Sequence, residues 1–232
     1  VPFNTGDNNT AALCSGGETP SYTGNTELWN GSSWAEQNNL NTSRASAGAG
    51  GSSASTFAFG GATPSATGAS EEWSTTQPVG AWATSTSVNT ARSSASSAGE
   101  SAEAALLFGG NKPSLTADTE IWNGTAWTET NNMLTARNGF AGNGTSTSAL
   151  GYGQDDPARS GLTESWNGTS WSEKADLSTV RRQAGGLGAD NESALTFGGE
   201  NTTINLITNT EEWNGSTWTE TGDLNTGRLG MA

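Results

Sequence analysis

The sequence predicts an all-β chain, a single domain over residues 1–232 folded as a five-bladed β-propeller of four-stranded antiparallel blades, with one blade closed by joining N- and C-terminal segments. Three observations carry that expectation. One phrase, Thr119-Glu120-Ile121-Trp122-Asn123-Gly124-Thr125-Ala126-Trp127-Thr128-Glu129, recurs five times, with its leading tryptophan at 29, 73, 122, 166 and 213. These tryptophans are 44, 49, 44 and 47 residues apart, and 48 residues separate Trp213 from Trp29 when counted through the two termini. A fixed period of this length marks repeats that bury their apolar faces against one another. Each unit also divides into four strand-like runs separated by turn residues, and no segment keeps a helical period. Four strands per unit and five units give a propeller.

Taken in order, the chain enters a repeat midway. Gly6 to Leu13 matches Gly188 to Leu195, and Leu224 to Ala232 supplies what is missing before it. One blade is therefore expected to draw on both ends of the chain, a way to latch a ring and protect its sheet edges. The first strand of a unit follows an arginine and is made of small residues, as in Arg44 to Gly50. The second is apolar and ends in glycines, as in Phe57-Ala58-Phe59-Gly60-Gly61, with the fourth unit departing as Leu150-Gly151-Tyr152-Gly153-Gln154. A variable loop follows, then the Glu-x-Trp strand, a hairpin and the second tryptophan strand. That strand closes on Leu40, Val88, Met133, Leu177 or Leu224, four residues before the next arginine.

Asn-Gly at the hairpin tip predicts a type I′ turn with positive φ at both residues. The same turn chemistry accounts for the sequons at Asn30, Asn123, Asn167 and Asn214 before glycosylation does. In the second unit the hairpin is longer and carries Pro78-Val79-Gly80. All ten tryptophans flank these hairpins, at 29/34, 73/82, 122/127, 166/171 and 213/218. Each ring buries roughly 150–250 Å². They read as a structural ladder between neighbouring repeats or, alternatively, as a sugar-stacking platform.

Composition narrows the function classes. The net charge of −14 argues against phosphate-neutralising contact with nucleic acid and against anionic membrane surfaces. No apolar run approaches the roughly eighteen residues that would span a bilayer. Val1 stands where Met would, with no signal-like segment after it, which reads as a processed product or an excised fragment. The single cysteine, Cys14, excludes an internal disulfide and reads as a small core residue. Histidine is absent, which removes imidazole metal ligands and Ser-His-Asp or Cys-His catalysis. No cofactor is expected.

The layout resembles the kelch repeat: a double glycine after the second strand, an aromatic closing the third, a tryptophan opening the fourth, and an arginine starting the next unit. It departs in ending the third strand with Trp-Asn-Gly, where kelch repeats usually have Tyr-Asp. The resemblance covers the whole chain and implies a partner-binding propeller. A few kelch propellers are oxidases with a histidine-bearing copper site, and those histidines are missing here. The Asn-, Gly-, Ser- and Thr-rich copies also look like repeat proteins common in marine phage and metagenomic sequences, which implies an extracellular or virion-surface setting.

Two charged positions recur. Arg44, Arg92, Arg137, Arg181 and Arg228 occupy one, and Glu27, Glu71, Glu120, Glu164 and Glu211 the other. They read as ion pairs or backbone anchors, with an anion-binding ring in the central channel as the alternative. Glu36, Glu129, Glu173 and Glu220 read as a solvated outer strand. A glycoside hydrolase needs an asymmetric carboxylate pair about 5–10 Å apart. The repeat-specific acids Glu100, Glu103, Asp155, Asp156, Asp190 and Glu200 are its candidates, and Asp155-Asp156-Pro157 could touch a cation but lacks further clustered oxygen ligands, so no metal site is expected.

The copies differ most in the loop after the double glycine, and function on a rigid scaffold is carried by varying loops. Tyr22, Lys112, Asp155, Arg159 and Asn201 are therefore the candidate binding residues, with drifting solvent loops as the alternative. The expectation is a non-enzymatic, monomeric ring, free or part of a larger fibre or virion, that binds a carbohydrate or protein. The other readings are a purely structural decoration protein and, less favoured, a hydrolase with axial carboxylates.

Overall fold

The computed structural model describes residues 2–76, 80–155, 158–203 and 205–230. They form twenty strands in five antiparallel sheets, each built from four consecutive strands. Blade 1 comprises β1 (Phe3–Asn8), β2 (Ala11–Ser15), β3 (Thr26–Trp29) and β4 (Trp34–Glu36). Blade 2 holds β5 (Gly48–Gly51), β6 (Ser55–Phe59), β7 (Ser70–Ser74) and β8 (Ala81–Ser85). Blade 3 holds β9 (Ser96–Ser101), β10 (Ala104–Phe108), β11 (Thr119–Trp122) and β12 (Trp127–Thr130). In blade 4 are β13 (Ala141–Gly144), β14 (Ala149–Gln154), β15 (Ser160–Trp166) and β16 (Trp171–Glu173). Blade 5 has β17 (Gly185–Leu187), β18 (Ala194–Phe197), β19 (Thr210–Trp213) and β20 (Trp218–Glu220). The first strand of each blade lines a central channel, which accounts for its small residues.

Within a blade, the leading tryptophan faces its hairpin partner directly, as in Trp29↔Trp34 and Trp122↔Trp127. Its indole N–H donates to a carbonyl in the turn between the first two strands in all five blades. The acceptors are Asn9 at 3.0 Å, Ser53 at 3.1 Å, Ala102 at 2.8 Å, Ser146 at 3.1 Å and Asn191 at 3.0 Å. The tryptophans are therefore structural, as the ladder reading expects. In blades 2 to 5 the pair also packs in an apolar cluster shared with the preceding blade, whereas Trp29 and Trp34 stack on each other.

The hairpin is not the type I′ turn expected from Asn-Gly. Positive φ is confined to the glycine, as at Gly124 with φ 87°. Four residues separate the paired tryptophans, and the asparagine uses its side chain instead. Asn123 Oδ1 accepts the N–H groups of Thr125 and Ala126, each at 3.0 Å. Asn30, Asn167 and Asn214 repeat this pattern. Such local side-chain capping supplies the turn with its acceptor without forcing Asn into left-handed geometry. Pro78 and Val79 of the longer hairpin lie outside the described residues.

Blades join through one recurring arrangement. The arginine leaving one blade is buried and forms an ion pair with the glutamate on the third strand of the next: Arg44–Glu71, Arg92–Glu120, Arg137–Glu164 at 3.1 Å and Arg181–Glu211 at 2.6 Å. Each carboxylate also accepts two backbone N–H groups from the connecting segment, for example Leu134 at 2.7 Å and Thr135 at 3.2 Å on Glu164. The arginines in turn donate to carbonyls, as Arg181 does to Gly198 and Asn209. A buried pair whose other donors and acceptors find partners is tolerable in a dry interior, and of the four arginines Arg137 alone leaves its Nε unpartnered. The ion-pair and backbone-anchor readings both hold, and these four arginines do not form an anion-binding ring.

Around each pair lies an apolar cluster drawn from two adjacent blades, such as Phe57, Phe59 and Val88 with Leu107, Trp122 and Trp127. The second tryptophan also reaches back to the preceding blade. Trp82, Trp171 and Trp218 donate to the hydroxyls of Thr26, Thr119 and Thr163 at 3.0, 3.0 and 3.1 Å.

The closure differs from the expectation. Blade 1 takes all four strands from residues 3–36, so no sheet of the described residues combines the two ends of the chain. The chain break falls in the connection between an arginine and the next first strand, outside any sheet. Leu224 to Gly230 is held by blade 5 through main-chain bonds, Gly199 N–H to Arg228 O at 2.8 Å and Gly230 N–H to Gln183 O at 3.0 Å.

Candidate functional site

The loops between second and third strands share one face with the blade-to-blade connections. The bridges Ala45↔Ala62, Ser93↔Asn111 and Arg182↔Glu200 tie each loop to the connection entering the same blade. The hairpins and the turns between first and second strands lie at the other end of the strands. All five sequence candidates lie in these loops.

The structure brings three of them together. Asp155, Arg159 and Asn201 meet at the junction of blades 4 and 5, with Arg182 and Glu200 completing the group. Arg182 bridges Asp155 at 2.6 Å and Glu200 at 2.5 Å. Arg159 approaches Asp155 at 3.7 Å and Glu200 at 3.6 Å, and donates to the Asn201 carbonyl. The hydrogen bonds from Arg182 to Asp155 and Glu200 hold its guanidinium above its ordinary pKa. Two cations and two carboxylates balance, and Glu200 is buried while Asp155, Arg159 and Arg182 remain partly open to solvent. Asn201 organises its own loop, its Oδ1 accepting the N–H groups of Thr203 at 3.0 Å and Asn205 at 3.1 Å. Asp156 and Pro157, the rest of the suggested cation contact, lie outside the described residues.

Tyr22 and Lys112 stand apart from this group. Tyr22 is half-buried and pairs by backbone with Glu18. Lys112 binds Asp118 at 2.5 Å. Burial works against the Asp118 carboxylate, but Lys112 and the Thr116 hydroxyl hold it below its usual range. Lys112 also borders a hollow of about 440 Å³ between blades 2 and 3, with Ser65, Ser93, Asn111 and Pro113.

Sequence reasoning missed Arg182 as a site residue and grouped Glu200 only among the acids. The signal for Arg182 was available: it doubles the junction arginine, where the other units have Ala45, Ser93, Asn138 and Leu229.

Beside the group opens the central channel, about 300 Å³, with Asn4, Ser46, Ser94, Ser97 and Gln183 on its wall. Its rim has a left-handed residue at the same place in each unit: Ser46, Ser94, Gly139, Gln183 and Gly230, with φ from 48° to 65°. Gly139 N–H donates to Ser94 O at 3.3 Å, Gln183 N–H to Gly139 O at 2.8 Å and Gly230 N–H to Gln183 O at 3.0 Å. The rim is thereby stitched from blade to blade by main chain, even where non-glycine residues must take a costly φ. No family model matches the chain, and no curated protein matches it.

The face thus combines a rigid rim, an uncharged polar channel, a balanced charged group and a separate lysine-edged hollow. Such a surface offers hydrogen bonds in fixed positions.

Proposed function

We propose that the chain is a non-enzymatic recognition module that binds a polar partner, carbohydrate or protein, across the loop face. The observation that supports this most is the convergence of Asp155, Arg159, Arg182 and Glu200 beside the channel mouth. These residues do not belong to the repeat, they come from two blades, and three of the four keep part of their surface open. Scaffold charges at the junctions are buried and spent on packing, whereas these are positioned on a face. The kelch-like order of glycines, tryptophan and arginine supports the same reading, since propellers of that kind mostly bind partners. A secreted or virion-surface setting is consistent with the acidic surface.

The test is a glycan array read alongside a screen of immobilised proteins, comparing the parent with Arg159→Ala and Lys112→Ala. A ligand bound by the parent is expected to weaken on at least one of these substitutions, while Glu129→Ala on the outer strand leaves it unchanged. Binding that ignores both loop-face substitutions would refute the assignment of the face.

A further inference from the structure

Six asparagines are followed by glycine: Asn30, Asn123, Asn138, Asn143, Asn167 and Asn214. In the sequence they are one dipeptide, and in the fold they are of two kinds. Four are exposed hairpin tips, where the asparagine Oδ1 accepts two main-chain N–H groups at 2.9–3.0 Å. The glycine after each has φ between 87° and 89°, and its own N–H makes no hydrogen bond to another described residue. Asn138 and Asn143 are the reverse, since both keep Oδ1 buried and without a partner. Asn143 is only 6% exposed and commits its Nδ2 to the Asp190 carbonyl at 2.9 Å. The N–H of Gly139, next to Asn138, is taken by Ser94 O at 3.3 Å.

An asparagine before glycine can close a five-membered ring on its own main chain. The glycine nitrogen gives its proton to hydroxide and bonds to the asparagine Cγ. The Cγ–Nδ2 bond then breaks, and ammonia leaves with a proton taken from water. Water opens the resulting succinimide at either carbonyl, leaving aspartate or isoaspartate. One water is consumed and one ammonia released, with nothing oxidised or reduced. Ring closure builds negative charge on Oδ1, so donors already fixed on that oxygen lower the barrier. At the tips two N–H groups stand there, the attacking nitrogen is free, and glycine has no Cβ to crowd the approach. At Asn138 and Asn143 the charge would develop on a buried oxygen with no donor, which is costly.

We propose that the four hairpin tips are sites of self-modification: in the folded protein Asn30, Asn123, Asn167 and Asn214 convert to aspartate and isoaspartate, while Asn138 and Asn143 stay intact. The two products act differently on the fold. Aspartate keeps an oxygen for both N–H groups, so the turn survives. Each such conversion adds one negative charge, on the end opposite the loop face, to a chain already at −14. Isoaspartate lengthens the main chain by a methylene, as between Trp122 and Trp127, which pair directly across their hairpin, and so disturbs that register. The proposal does not depend on the loop-face function.

The test is incubation of the whole chain at pH 8, folded in buffer and unfolded in urea, with peptide mapping by mass spectrometry at intervals. Each conversion adds one mass unit, and isoaspartyl methyltransferase labels the isoaspartate fraction. In the folded protein the four tips are expected to convert within a few-fold of their rate in urea, as a mixture of both products. Asn138 and Asn143 should lag the tips by about tenfold or more in the fold, a cautious figure beside the roughly 10²–10³ that one preorganised donor is worth in an enzyme. In urea they should catch up, because all six then share one environment. Three results would overturn the proposal. One is tips that stay intact in the fold while converting in urea, meaning that the capped turn protects them. Another is Asn138 or Asn143 keeping pace with the tips in the folded protein. The third is aspartate formed without isoaspartate, meaning direct hydrolysis at Cγ and no ring closure.

Discussion

Replacing Glu164 by glutamine removes the charge from one junction clamp while keeping its shape. The Glu164 carboxylate accepts Leu134 N–H at 2.7 Å, Thr135 N–H at 3.2 Å and Arg137 Nη2 at 3.1 Å. A carboxamide turns one of those oxygens into a donor facing donors. Arg137 keeps carbonyl acceptors on Gly151, Leu162 and Gly153, so its guanidinium stays partly solvated by the protein but loses its counter-charge. Burial already pulls Arg137 down to about 10, with Glu164 and Asp176 opposing that pull. Breaking a buried pair by altering one partner costs about 3–5 kcal/mol, and the remaining carbonyls place this case near 3. For 232 residues, at about 2 °C per kcal/mol, the melting temperature should fall by roughly 6 °C. The internal control is Glu27→Gln, the same repeat position in an exposed setting, where the change should stay within about 0.5 kcal/mol. Differential scanning calorimetry of both variants at neutral pH decides the matter. Equal shifts in the two, or an unchanged Glu164→Gln protein, would refute the account of the junctions.

Two other predictions concern single polar atoms. Ser70 stands where the other units have Thr26, Thr119, Thr163 and Thr210, and the Trp127 indole facing that position has no hydrogen-bond partner. Ser70→Thr keeps the hydroxyl but restricts its rotamer to the one the other units use, and should let it accept the Trp127 indole N–H and stabilise the fold by about 0.5–1.5 kcal/mol, with no gain in calorimetry counting against the equivalence of the joints. Tyr152 is fully buried, and burial raises its phenol well above the ordinary value near 10, with Arg181 a smaller opposing influence. Below pH 10 both folded and unfolded forms keep the proton; above it the unfolded form ionises first, so stability falls by about 1.4 kcal/mol per pH unit. Urea unfolding at pH 9 and pH 11 should show the parent losing that much more than Tyr152→Phe. Parallel losses would show that the phenol is not responsible.

Periodicity alone made the strands, their order within a blade and the recurring arginine and glutamate legible, because each copy solves the same packing problem and errors in one copy are corrected by the other four. The loop-face group was legible only in part. Asp155, Arg159 and Asn201 were found as departures from the repeat, but the approach of Arg182 to Glu200 depends on how two blades are set against each other, and no linear count contains that angle. The same blindness explains the closure. Forty-eight residues across the termini suffice for a repeat by length, but length alone does not place both ends in one sheet. A ring closes when the angles at its joints add to a full turn, and at three joints the bulk of Phe59, Phe108 or Tyr152 is wedged against a neighbour's tryptophan. In blade 1, Ser15 occupies the place of those rings at the end of the second strand, and Phe3 on the first strand meets Trp82 instead, at 6.1 Å.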